Sequence, residues 1–389
     1  MRVDSIQEAI RDANLDGWLF FDHHRRDPLA YRVLQIPGDV MPTRRWYYFI
    51  PADGEPRKLV HRIESTALDS LPGMKQAYAS WQEQQSRLAA LVAGARRIAM
   101  QYSPHCAIPY VSMVDAGTME LVRGAGVDVV SSADLVQRFE AVWTSQQLDL
   151  HLEAGRLVDQ TRRDAFDLIR DRRQANEAIN EYEVQQFILG RFREQEIVTD
   201  HGPIVAVNEN ASNPHYEPTC EHYSHIQAGD VVLIDLWAKR NVPGAVYYDI
   251  TWTGFCGDQI PDRIQTIFDI VKTAREHAAT FAMETSARGE RFRGFEIDDI
   301  ARGVIAQEGY GDYFFHRTGH SLGTDVHGTG ANMDNLESHD ERVVLPGCCF
   351  TIEPGIYLPE FGIRSEINVF VSADSARITG EEQKSLVPL

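Results

Sequence analysis

The chain has no apolar run of the roughly 18 residues a membrane-spanning helix needs, so no membrane partner is expected. It has few cysteines: five in 389 residues, Cys106, Cys220, Cys256, Cys348 and Cys349, odd in number and without CxxC spacing. Such usage is expected of reduced, mostly buried thiols in a cytoplasmic protein. It lacks a basic excess. With 57 acids against 38 bases the net charge is −19, a field that repels phosphate backbones and argues against nucleic acid. The opening stretch, MRVDSIQEAIRDANLDGWLFF, has no basic segment ahead of an apolar core and is not expected to act as a secretory signal. Internal repeats and low-complexity segments are absent as well. Small molecules, metal ions and further copies of the chain remain as partners.

Patterning divides the chain near position 145. Before it, short strands and helices alternate: GWLFFD (17–22) and RRWYYFIP (44–51) are strand-like, the second followed by a turn at 52–55 and a return segment PRKLVHRI. Residues 81–94 and 110–124 carry helical patterns, with ARRIAMQ as a strand between them. That predicts an α/β layer domain over 1–145. After it, 146–175 is a long charged helix, and Asn180 with Glu183 three residues on marks the start of another. Strand-like strings (PIVAVN, VVLIDLWA, AVYYDITWTGF, CCFTIEP, GIYL, EINVFV) and helices over 262–285 and 296–308 then predict an α+β domain over 146–389, with helices covering one face of an antiparallel sheet.

Four acids sit inside strings that should be fully apolar: Asp235 in VVLIDLW, Asp249 in AVYYDITW, Glu353 in CFTIEPGIY and Glu366 in RSEINVFV. A lone buried carboxylate is costly, and burying several like charges together is prohibitive without counter-charge. Bound cations supply one, since four carboxylates balance two divalent ions. His320, in HRTGHSLGTDVHG, offers a neutral imidazole from a glycine-bracketed segment. A hairpin through Pro243-Gly244 can bring Asp235 and Asp249 side by side. Oxygen-rich ligation with one nitrogen favours Mn²⁺, with Co²⁺, Fe²⁺ or Zn²⁺ as alternatives.

The order Asp, Asp, His, Glu, Glu, in the strings LIDLW, YYDITWTG, GHSLGTDVHG, FTIEPGIY and GIRSE, resembles the pita-bread metallopeptidases, which include prolidase, aminopeptidase P and methionine aminopeptidase. The resemblance covers 146–389 by motif and extends weakly to a creatinase-like N-terminal domain over 1–145. It implies a dinuclear centre in which Asp235 binds one ion, His320 and Glu353 the other, and Asp249 and Glu366 bridge them. Glu353 would also shuttle the proton to the leaving nitrogen. By position, His215 matches a histidine lining the site, His327 one that supports the developing oxyanion, His316 one near the leaving-group pocket, and Arg364 an arginine that anchors substrate. Each could instead be a surface or structural residue, Arg364 by neutralising Glu360 or Glu366. His201, His222, His225 and His339 have no motif support and are expected at the surface.

The resemblance implies a proline-specific exopeptidase, an Xaa-Pro dipeptidase (prolidase) ahead of an aminopeptidase P, and a homodimer. A bond to proline is a tertiary amide without an N–H, and Tyr216, Phe314, Phe315 and Tyr357 could wall an apolar pocket for its ring or belong to the core. A metal-dependent hydrolase of a small non-peptide amide and a non-catalytic binding module are the other readings; the intact ligand set argues against the latter. Departures from the family pattern are a longer Asp235–Asp249 loop, Trp252 in place of arginine, and Ile367 and Gly328 in place of acids. They put substrate preference in question.

Overall fold

The computed structural model describes residues 3–38 and 42–389, in two compact units, Met1–Glu140 and Ala141–Leu389. The division falls shortly before position 145. Ala141 belongs to the core of the second unit, and the Trp143 N–H donates to the Gly347 carbonyl at 2.8 Å.

In the front unit, side-chain alternation decides the architecture. Strand Gly17–Asp22 pairs antiparallel with Trp46–Pro51. Trp18, Phe20, Trp46 and Tyr48 enter one core, while Leu19, Phe21, Tyr47 and Phe49 enter another. A sheet apolar on both faces needs helices on both. Helices Val3–Asp12, Pro28–Leu34 and Ala133–Glu140 cover the first face through Ile6, Ile10, Leu29 and Val136. Helices Trp81–Leu91 and Ala116–Gly124 cover the second through Leu88, Leu91, Met119 and Val122. The six strands run Met74–Tyr78, Arg57–His61, Trp46–Pro51, Gly17–Asp22, Arg97–Met100, Asp128–Ser131. This is the expected α/β layer. The helix expected over 110–124 starts later, because Asp115 caps it by accepting from the Thr118 N–H.

The second unit opens with helix Ser145–Gln174, started by a capping box between Thr144 and Gln147. Its buried stripe, including Ala154, Val158 and Ala165, packs on Val232, Ile234, Leu236 and Ala238 of strand Val231–Arg240 and on Tyr248 and Ile250 of strand Tyr248–Phe255. Those even-numbered residues take the helix side, so the odd-numbered Asp235, Asp249 and Thr251 face the other way. The antiparallel register sets Asp235 opposite Thr251 and Asp249 opposite Trp237. The two aspartates are therefore diagonal neighbours on one face, despite the longer loop between them.

A second sheet, Ser321–Leu322, Cys349–Ile352, Ile367–Val371 and Ala376–Thr379, buries Phe350, Ile352, Ile367 and Val369 against helices Asp262–Ala287 and Gly294–Gln307. Asn368 ties the two sheets: its Nδ2 donates to the Asp249 carbonyl at 2.7 Å and its Oδ1 accepts from the Asp249 N–H at 3.2 Å. The Glu366 N–H donates to the Thr251 carbonyl at 3.0 Å. The result is the α+β arrangement expected, with the acids where the sheets meet. Cys256, Cys348 and Cys349 are buried, Cys106 and Cys220 exposed, and all five are free. No helix among the described residues is long and apolar enough to cross a membrane.

Candidate metal centre

Asp249, His320 and Glu366 each present a ligand atom, all within 4.8 Å of one another, and all three residues are buried. His320 Nε2 lies 3.6 Å from Asp249 Oδ2 and 3.3 Å from Glu353 Oε1. Glu366 Oε2 accepts from the Thr251 hydroxyl at 2.8 Å, and Glu353 Oε1 from the Thr351 hydroxyl at 3.1 Å. Asp235 stands beside this set, its Oδ2 accepting from Arg364 Nη2 at 2.5 Å. All five residues expected as ligands are thus gathered.

Local backbone chemistry delivers them. The His320 N–H donates to the Thr351 hydroxyl and the Thr351 N–H returns to the His320 carbonyl, both at 2.9 Å. That approach requires glycine at 319: a Cβ there would lie 1.9 Å from the Thr351 carbonyl oxygen. The Glu353 N–H donates to the Thr318 carbonyl at 2.7 Å, which sets Glu353 next to His320.

Whether a cation suits this set is decided by what the protein leaves unpaired. Asp235 Oδ1, Asp249 Oδ1 and Glu366 Oε1 are buried with no hydrogen-bond partner, and an orphaned buried acceptor costs about 1–3 kcal/mol. Burial, then Asp235, pushes the Asp249 carboxyl well above the usual carboxylate range; burial, then Asp249, does the same to Glu366. Burial raises Glu353 to about 7. The His320 imidazole is held far below its ordinary value by burial and then His327, and so is neutral. Several carboxylate oxygens and one neutral nitrogen, starved of positive charge, are the donors a hard or borderline divalent ion takes. The residues fit such ions.

The neighbouring histidines divide into two kinds. His327 stacks edge-on to His320, with ring centroids 4.4 Å apart, and loss of solvation followed by Arg317 lowers its pKa. His215 lies exposed on the turn after the 3₁₀ segment Asn208–Ser212, close enough for its charge to act on Asp235. His316 differs from expectation. Its Nδ1 lies 2.7 Å from the Arg317 carbonyl and its Nε2 2.6 Å from the Tyr357 hydroxyl. A carbonyl can only accept, so Nδ1 carries the proton and Nε2 accepts from Tyr357. Both nitrogens are engaged within the protein.

Arg364 differs likewise. It is buried, and its Nε donates to Thr251 Oγ1, Nη1 to Tyr357 OH and Nη2 to Asp235. It pairs with a buried carboxylate instead of pointing at a substrate, and that partner is Asp235 rather than Glu360 or Glu366. Glu360 pairs with Arg263. His201, His222, His225 and His339 are exposed, as expected.

Other expectations are corrected by facing. Trp252 is even-numbered, packs on the helix side of its strand and lies under the Arg162 guanidinium, 3.5 Å from the ring centroid. It does not reach the site. Ile367 belongs to the core, and a Cβ on Gly328 would meet the Ser321 carbonyl at 2.9 Å, so neither position could hold a site acid in this packing. Phe314 is core. Phe315 is exposed and its ring lies 5.1 Å from that of Tyr357.

Several residues that matter carried little sequence signal. Thr251 joins Glu366 to Arg364; its only mark was standing two residues after Asp249, hence on the same face. Glu181 is fully buried and accepts from the Val207 N–H, Asn210 Nδ2, Tyr216 OH and the Ser224 N–H at 2.6–2.9 Å. It clamps the loop that carries His215, and it also explains Tyr216, which is held here and not offered to a ligand.

Residues 149–373 match the sequence model of metallopeptidase family M24. The Xaa-Pro dipeptidase of Pyrococcus furiosus is 28% identical over 255 residues, 65% of this chain and 67% of that enzyme. The Xaa-Pro dipeptidase of Lactobacillus delbrueckii subsp. lactis is 28% identical over 235 residues, 60% of this chain and 58% of that enzyme. The fold is that of dipeptidase PepE from Mycobacterium ulcerans, with a TM-score of 0.72 at 22% identity, covering 100% of this chain and 97% of that one. The carboxylate and histidine strings that converge here lie inside the matched span, and the chain belongs to metallopeptidase family M24.

Proposed function

We propose that this metallopeptidase is a dinuclear exopeptidase that hydrolyses the peptide bond before proline, with Xaa-Pro dipeptides as its substrates. The observation that carries the reading is the set of three partnerless buried carboxylate oxygens, on Asp235, Asp249 and Glu366, around His320. Asp235 would hold one divalent ion, His320 and Glu353 the other, and Asp249 and Glu366 would bridge; Mn²⁺ suits the donors best. When bound, such a pair polarises a carbonyl and acidifies water.

The chain's own residues do the rest. Arg364 keeps Asp235 ionised and oriented, and is itself set by Thr251 and by Tyr357, which His316 fixes in turn. Glu353 has Oε1 turned to Thr351 and His320. Its other oxygen takes a proton from the attacking water and delivers it to the departing proline nitrogen. His327, neutral and adjoining His320, donates to the carbonyl oxygen as charge develops on it. His215 approaches from the opposite loop and contacts substrate. None of these groups grips an amide hydrogen on the scissile nitrogen, which suits a tertiary amide.

The test uses protein stripped of metal and then given Mn²⁺, with Ala-Pro and Ala-Pro-Ala as substrates. Metal-dependent cleavage of the dipeptide alone is expected. Cleavage of the tripeptide would move the assignment to an aminopeptidase P. Silence on both, with ions bound, would overturn the proline reading and leave the metal cage.

A further inference from the structure

The front unit contains a cavity of about 720 Å³ that the proposed reaction does not use. His23, His24 and Arg26 enter it from the turn after strand Gly17–Asp22, Arg44 and Arg45 from the approach to Trp46–Pro51, and His61 from a third strand end. Tyr78 and Trp81 form an aromatic side, and Trp81 is 62% exposed. In a chain of net charge −19 three guanidiniums around one cavity, those of Arg26, Arg44 and Arg45, are out of keeping with the surface as a whole.

Among the described residues the positive charge is not spent internally. The one carboxylate that lines the cavity among the described residues, Asp115, caps a helix by accepting from the Thr118 N–H and hydroxyl at 2.9 and 2.8 Å. Nearby Glu64 is taken by the Thr43 and Arg44 backbone N–H groups and the Thr43 hydroxyl. Among the described residues, Arg26 and Arg45 form no ion pair, and the Arg44 guanidinium donates to Thr43.

The turn that supplies this charge is also strained. His24 and Arg25 stand consecutively at φ +61° and +58°, in the left-handed region that costs a non-glycine residue roughly 1 kcal/mol or more. Buried Asp22 holds the turn from beneath by accepting from the Arg25, Arg26 and Asp27 N–H groups and the Tyr31 hydroxyl. Glycine or asparagine would meet the backbone requirement more easily. His24 lines the cavity from this strained position, while the Arg25 guanidinium turns away to the Gly38 carbonyl and the Tyr31 ring.

We propose that this cavity is a binding site for a small organic oxyanion bearing an aromatic ring. Arg26 and Arg45, with His23 beside them, take the carboxylate or phosphate, since a guanidinium donates two parallel hydrogen bonds to either. The ring lies against Trp81 and Tyr78, where an exposed indole gains a stacking partner.

Phenyl phosphate and benzoate serve as probes against the full chain, with phenol as the uncharged control, followed by calorimetry and by tryptophan fluorescence. Saturable binding of one probe per chain is expected, with phenol failing, and the preferred probe identifies the oxyanion. Arg45→Gln and Arg26→Gln should each weaken binding roughly tenfold or more. Trp81→Phe should abolish the fluorescence change while calorimetric binding persists. Arg96→Gln, exposed in the same unit but away from the cavity, should change nothing, and equal melting temperatures will show that the variants fold. No saturable binding of either probe at millimolar concentration overturns the proposal. So does binding that survives both cavity arginine substitutions, or that falls equally with Arg96→Gln.

Discussion

The second unit buries carboxylates in two ways. Glu181 and Asp298 are fully enclosed and saturated: Glu181 accepts from four donor groups, and Asp298 from the Thr318 N–H and hydroxyl, the Asn335 N–H and the Arg302 guanidinium. Asp235, Asp249 and Glu366 are also buried, yet each keeps one oxygen with no partner. The first kind completes its electrostatics within the chain and holds loops in place, Glu181 the His215 loop and Asp298 the approach to His320. The second kind is incomplete and calls for charge from outside. Counting hydrogen bonds to each buried acid, and asking what faces the unpaired oxygen, thus separates framework from centre. Asp159 Oδ1 also lacks a hydrogen bond, but Arg162 stands 3.8 Å from it, whereas Asp249 and Glu366 converge on His320.

Substitutions at the two kinds should act oppositely. The largest effect is expected from Asp249→Asn or Glu366→Gln: hydrolysis should fall by about a thousandfold or more through lost ions. Metal-free protein should melt no lower than the parent, because a repelled charge has been removed. Activity assays paired with calorimetry of stripped protein check both halves. Glu181→Gln should instead lower stability by roughly 3 kcal/mol, since a fully paired buried acceptor loses its charge and geometry. Denaturant unfolding measures that, and added metal should not restore it.

A smaller effect is expected at His151. Its Nδ1 and Nε2 lie 2.8 Å from the Tyr247 carbonyl and 2.7 Å from the Thr379 hydroxyl, and burial lowers its pKa from 6.5 to about 4. Between those values the unfolded chain holds a proton that the folded chain refuses. Its contribution is therefore complete above pH 6.5 and lost as the pH falls toward 4, by up to about 1.4 kcal/mol for each pH unit crossed. Unfolding in His151→Gln should show a flatter slope across that window. Least affected should be Trp252→Phe: with its ring under Arg162 on the helix face, hydrolysis should stay within about twofold of the parent. A large loss of activity there would mean that strand facing does not separate site from scaffold.

The centre was legible in the sequence because its acids contradict their surroundings. A carboxylate in VVLIDLW or FTIEPGIY breaks an apolar run, and strand period then sends Asp235, Asp249 and Thr251 to one face. Residues whose work depends on distant partners were not legible. Arg364 and Asp235 are far apart in sequence, so their pairing appears only when the hairpin Gly355–Tyr357 and Gly362–Arg364 folds against the Asp235 strand. Glu181 looks like an ordinary acid in a helix first turn, and nothing local tells that four groups from residues 207–224 converge on it. The front-unit cavity was missed for the same reason, its arginines and histidines being gathered from separate strand ends.

The most direct test of the distinction between the two sets is metal stoichiometry. Stripped protein would be dialysed against Mn²⁺ and its metal content measured, beside Glu366→Gln and Glu181→Gln. Two ions per chain in the parent and in Glu181→Gln, with fewer in Glu366→Gln, is the result expected. No tightly held ion in the parent, or equal content in all three, would contradict it.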